Sequence, residues 1–69
     1  MLKLKEERKK RGWSQTKLSG LTGIASSDIS SIESGWRRVF PGWKKRISEA
    51  LGVHGPEAER LFEEVEADD

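Results

Sequence analysis

Apolar residues recur at three- and four-residue spacing in almost every segment of this chain, and no stretch alternates in the Val/Ile/Thr manner of a strand, so the pattern predicts an all-α fold. A first helix is expected over about Leu2–Arg11. Lys9, Lys10 and Arg11 in its last turn complement the helix dipole, and Gly12 ends it. Ser14 is the expected N-cap of a second helix over roughly Gln15–Leu21, with Leu18 and Leu21 on the inner face and Gly23 as the stop. Only one or two residues later a third helical pattern begins, with Ile29 and Ile32 on one face and Gly35 at its end, so a tight turn joins two short helices. Beyond an irregular stretch from Trp36 to Phe40, Pro41 opens a fourth helix with Trp43, Ile47, Ala50 and Leu51 on one side and Gly52 as terminator. After a Gly52–Gly55 loop, Pro56, the early acids Glu57 and Glu59, and the Ala58, Leu61, Phe62, Val65 stripe predict a fifth amphipathic helix over about 56–67, fraying at Asp68 and Asp69.

The 69 residues are read as one domain, 1–69, and a chain this short buries only about 60% of its unfolded surface. With no cysteine, neither a disulfide nor a thiolate metal site can staple it, which leaves the work to helix packing or a partner subunit. The N-terminus is charged from Lys3 onward and no apolar run approaches the ~20 residues of a membrane span, so neither a signal peptide nor a membrane partner is expected. The net charge of +1 conceals a segregation along the chain. Residues 1–46 hold 12 basic and 4 acidic side chains, residues 47–69 hold 1 and 8. Asymmetry of that size points to a polyanionic partner for the basic part, and nucleic acid is the commonest one.

The stretch Ser14 to Gly35, SQTKLSGLTGIASSDISSIESG, concentrates the remaining signal. Gln15 opens its first helix and Gly23 follows eight positions on, about two helical turns before the chain reverses. Leu18, Ile24, Ile29 and Ile32 are the apolar positions that hold the two helices at a fixed angle, and Ser19 is small enough for close approach. This arrangement resembles the helix-turn-helix of the lambda-repressor and Cro-like family, also called the xenobiotic-response-element family. Arg8, Gly12, Glu33 and the RISEALGV run ending at Val53 extend the resemblance over nearly the first 53 positions. It implies a compact five-helix DNA-binding domain with the helix-turn-helix at helices 2 and 3, acting as a transcriptional regulator in the cytoplasm and on the nucleoid when bound to DNA. It also implies an internal ion pair between Arg8 and Glu33, either half of which would be missed at ~3–5 kcal/mol.

The resemblance further implies that a helix from about Ser26 to Ser34 enters the major groove of double-stranded DNA, with Ser26, Ser27 and Ser31 at base-reading positions and Asp28 beside them. Backbone contacts would come from Gln15, Lys17, Trp36, Arg37, Arg38 and Lys44, and from amides at the starts of the second and fourth helices, Gly42 among them. Lys9, Lys10 and Lys45 extend the basic rim. Some positions depart from the family pattern. Ala25 stands where a Ser or Thr usually caps the recognition helix, so the cap shifts to Ser26 or is lost at ~0.5–2 kcal/mol. Glu7 replaces a usually apolar residue. The recognition helix has no Arg, Lys, Gln or Asn, the side chains that make bidentate base contacts, so DNA shape or Trp36 is expected to supply sequence preference.

Trp13 and Trp43 are read as core residues. Trp36, between Gly35 and the Arg37–Arg38 pair, is either a partly buried loop residue or an exposed one that packs on deoxyribose or on a second subunit. Catalysis is disfavoured: the single histidine, His54, lies in a glycine-flanked loop without a second metal ligand, no base serves the serines, and a pocket of ~300 Å³ or more is not expected. Neither metal nor cofactor is implied. The serious alternative is a protein-interaction or antitoxin-type module that uses the fifth helix or the Trp36 surface and has weak DNA readout. The Leu61, Phe62, Val65 stripe either covers the core or forms a homodimer interface pairing two recognition helices across ~34 Å.

Overall fold

The computed structural model describes residues 1–65, which form α1 Lys3–Lys10, α2 Gln15–Thr22, α3 Ser26–Ser34, α4 Pro41–Leu51 and α5 Pro56–Arg60. The end of the predicted fifth helix, 66–67, and the fraying Asp68 and Asp69 lie outside the described residues. Glycine in the left-handed region closes the helices where local chemistry demands it. At the end of α3, Gly35 (φ 87°) lets its own N–H reach the Ile32 carbonyl and the Trp36 N–H reach the Ser31 carbonyl at 2.9 Å, which satisfies two otherwise orphaned acceptors.

One core unites the helices: Leu2, Leu4, Leu18, Ile24, Ile29, Ile32, Ile47, Leu51 and Leu61 are buried, with Trp13, Trp43, Val53 and Phe62 packed half-buried around them. At α2 the structure corrects the expected inner face, because Leu21 is 48% exposed. The pair four apart, Leu18 and Thr22, turns inward instead, for the Thr22 hydroxyl has two local partners there. It donates to the Leu18 carbonyl at 2.8 Å and accepts the Ile24 N–H at 3.2 Å.

The fifth helix is also shorter than its stripe predicts. It stops after Arg60, because backbone beyond that point is claimed by the start of the chain. Leu2 has no side chain that could cap α1, and the first N–H groups of that helix find carbonyls in the C-terminal segment: Leu4 N–H donates to Leu61 at 2.8 Å and Lys3 N–H to Glu63 at 2.9 Å. An isolated antiparallel bridge joins Leu2 to Glu64, and the Val65 N–H donates to the Met1 carbonyl at 2.8 Å. Since α5 is little more than one turn, it leaves a flank of α4 uncovered. An open groove of about 530 Å³ lies there between Lys44, Lys45, Ser48, Val53, Ala58 and Phe62, larger than the chain length led us to expect.

Candidate nucleic-acid interface

α2 and α3 are positioned by apolar contacts and by one buried charge pair. Leu18, Ile29 and Ile32 are fully buried and Ile24, in the connecting turn, is 2% exposed. Gly23 (φ 74°) supplies the left-handed residue that reverses the chain, a conformation that strains any side-chain-bearing residue. At the other end of α3, Glu33 is 1% exposed and Arg8 of α1 6%. Arg8 Nε donates to Glu33 Oε2 at 2.8 Å and Nη2 to Oε1 at 3.0 Å, a bidentate fork, while Nη1 donates to the Trp13 carbonyl at 2.6 Å. Gln15 Nε2 adds a third donor to Glu33 Oε1 at 3.1 Å. The carboxylate is thereby satisfied without water, and α1, the start of α2 and the end of α3 are tied at one point.

With Ile29, Ile32 and Glu33 turned inward, the rotation of about 100° per residue puts Ser27, Ser30, Ser31 and Ser34 on the outer face of α3. Ser26 and Ser27 are exposed and Ser31 is half-buried. Ser31 Oγ donates back to the Ser27 carbonyl at 3.1 Å, and Ser34 Oγ to the carbonyls of Ser30 and Ser31. Hydroxyls held this way offer lone pairs outward and so face a partner as acceptors. Ala25 has the extended backbone of an N-cap (φ −56°, ψ 141°) but no side chain to cap with, and Ser26 has been drawn into the helix, so the side-chain cap is absent. Ser14 does cap α2, accepting the Lys17 N–H at 3.0 Å.

Asp28 lies on the flank of the outer face, between Ser31 and Ile32, with Arg37 Nη1 3.6 Å from its Oδ1. Both acids of α3 are thus compensated, Glu33 by Arg8 and Asp28 by Arg37. Lys17 on α2, Arg38 in the loop after α3, and Lys44, Lys45 and Arg46 on α4 are exposed and make no ion pair among the described residues. Lys44 Nζ lies 5.5 Å from the Phe62 ring centre. Gly42 sits in the first turn of α4, where Phe40 provides no side-chain cap and the leading amides point outward. Trp36 is 88% exposed: in this type of helix end the residue after the glycine usually packs on the one facing it in the last turn, and here that residue is Ser31.

Of the residues singled out in the sequence, Ser26 and Ser27 are exposed and Ser31 half-buried on α3, with Ser27 and Ser31 on its outer face, while Lys17 on α2, Trp36 and Arg38 in the loop after α3, and Gly42 and Lys44 on α4 are exposed. Gln15 and Arg37 are committed to protein carboxylates, and among the outlying lysines Lys10 is bound to Glu7 at 3.0 Å. That lysine's hydrogen bond holds the Glu7 carboxyl below the ordinary carboxylate range against the opposing effect of burial, with help from the charges of Lys10 and Arg11. Three roles carry no signal in the sequence pattern: Thr22 in the turn, Ser30 and Ser34 on the outer face, and Arg11, whose Nη2 donates to the last carbonyl of α4, Leu51, at 3.0 Å. Spacing alone does not single out a threonine or an arginine for such bonds. Among the described residues no group of His, Asp and Glu is arranged to hold a metal, and no helix is long and apolar enough to cross a membrane.

Two short helices joined by a left-handed glycine turn, locked on a third, with the outer face of the second left free, define a helix-turn-helix domain, a class that binds DNA. A family model for the helix-turn-helix domain matches residues 2–61, and the chain belongs to that family, in its Cro-like, xenobiotic-response-element type. The match runs through all five helices to Leu61. No curated protein and no solved structure matches the chain.

Proposed function

We propose that the chain acts as a single domain over residues 1–69, a non-enzymatic transcriptional regulator that binds double-stranded DNA sequence-specifically and lays α3 in the major groove. The observation that carries this reading is the outer face of α3: both acids of the helix are paired, the face is otherwise uncharged, and α2, the loop after α3 and α4 carry exposed cations. Ser26, Ser27 and Ser31 would meet base edges, Ser31 with hydroxyl lone pairs suited to the amino groups of cytosine and adenine. Lys17, Arg38 and Lys44, the Gly42 amide and the face of Trp36 would meet the sugar-phosphate backbone.

Titration of duplex DNA at several salt concentrations tests it. A reader making ~4–6 phosphate contacts has a log-log salt slope of about −4 to −5, and Arg38→Ala should make that slope shallower by about 0.9. Absence of binding at low salt by both proteins would overturn the proposal. It would leave the second reading, a protein-interaction or antitoxin-type module, which the 88% exposure of Trp36 favours.

A further inference from the structure

The sequence marks Arg37 and Asp28 each as a DNA contact, yet the structure turns them toward one another. Arg37 Nη1 lies 3.6 Å from Asp28 Oδ1, and the same guanidinium carbon lies 5.2 Å from the ring centre of Trp43 and 5.7 Å from that of Phe40. The two rings meet edge to face at 5.2 Å and 79°, so the guanidinium is seated on an aromatic corner at the start of α4. Asp28 belongs to the first turn of α3. One side chain thus connects the beginning of the recognition helix to the beginning of α4, across the loop that carries Trp36 and Arg38. Arg38, its neighbour in sequence, is exposed and has no ion pair among the described residues.

We propose that Arg37 is a positioning residue and not a phosphate ligand: seated on Trp43 and Phe40, it masks the Asp28 carboxylate and thereby makes the flank of α3 acceptable to DNA. This rests on the DNA-binding reading above. Asp28 sits beside Ser31 on the side of the helix nearest the loop, and an uncompensated carboxylate there would face phosphates of like charge. A guanidinium drawn into an aromatic corner cannot reach out to those phosphates without abandoning both partners. The chain thus keeps an acid beside its reading face by supplying the counter-charge internally, and Arg38 is the arginine of the pair left for the backbone.

The test is a double-substitution cycle on a duplex that the wild-type protein selects from a random pool, with affinities and salt slopes measured well below every melting temperature. Arg37→Ala should weaken binding about 10-fold by unmasking Asp28. Asp28→Ala should bind within about twofold of wild type, and Asp28→Ala/Arg37→Ala should recover to that level with the wild-type salt slope. A double variant that stays as weak as Arg37→Ala, with a slope shallower by about 0.9, would show that Arg37 grips a phosphate and overturns the proposal. So would a tenfold loss in Asp28→Ala alone, which would make Asp28 a base reader. Asp28→Ala removes a half-buried side chain outside the core and keeps the test decisive if Arg37→Ala does not fold. A wild type that selects no duplex overturns both this inference and the reading beneath it, whereas a binding wild type with an unrescued double variant overturns the inference alone.

Discussion

Glu33 shows how much a single side chain does in so small a core. Its two oxygens receive Arg8 twice and Gln15 once, and its own backbone carbonyl accepts the Leu2 N–H at 2.8 Å. Glu33→Ala therefore strands a buried guanidinium and should cost ~3–5 kcal/mol in urea unfolding, a large share of the stability of a domain this size. Replacing both partners, as in Arg8→Met with Glu33→Leu, should cost clearly less, because no charge is left unpaired. Glu7 belongs at the other end of the scale. Its carboxyl titrates below the ordinary range, chiefly through Lys10, so its contribution is present above the unfolded-state pKa and disappears as pH falls through the folded one. Partly exposed pairs of this kind are worth about 0.2–1 kcal/mol, and Glu7→Gln should lose that amount at neutral pH while matching wild type in acid. Thermal melts at the two pH values check both statements.

Among the elements, α3 is the one built below its own optimum. Its N-cap position has the correct backbone and the wrong side chain, and its first three amides receive no side-chain acceptor. Ala25→Ser should raise stability by about 0.5–2 kcal/mol, read as a shift in the denaturation midpoint with an unchanged slope. Packing elsewhere secures α3 despite the missing cap. Ile29 and Ile32 bury one face, and the glycine end at Gly35 closes the last turn. α5 illustrates the reverse case. Its apolar stripe continues past Arg60, yet Leu61 reaches the core from a turn, since α1 needs the carbonyls that a continued helix would have consumed.

For the whole molecule, size decides how DNA could be engaged. The Cα framework measures 28 Å along its longest axis, shorter than the ~34 Å between successive major-groove faces, so one copy covers one half-site and a symmetric operator needs two. Sedimentation on a selected duplex should report two copies per symmetric site; a single copy at saturation would exclude the palindromic arrangement. Leu61 is buried in the core and Phe62 packs half-buried against it, so these two residues of the stripe considered for a dimer interface are engaged by the monomer core.

Much of this architecture was legible before any coordinates. Gly12, Gly23, Gly35 and Gly52 mark the helix ends, Pro41 and Pro56 open α4 and α5, and the helix-turn-helix spacing stands out, because caps, left-handed residues and helical periodicity act within a few positions along the chain. The outer face of α3 follows from the same periodicity once Ile29 and Ile32 are turned inward. What the sequence could not decide depends on groups far apart in the chain competing for one partner. Thr22 displaces Leu21 from the interior because a hydroxyl fits that turn, the start of α1 takes the carbonyls of Leu61 and Glu63, and Arg37 lies against Asp28 and an aromatic corner. Local pattern names the residues able to bind; only the packed chain determines which of them already hold one another.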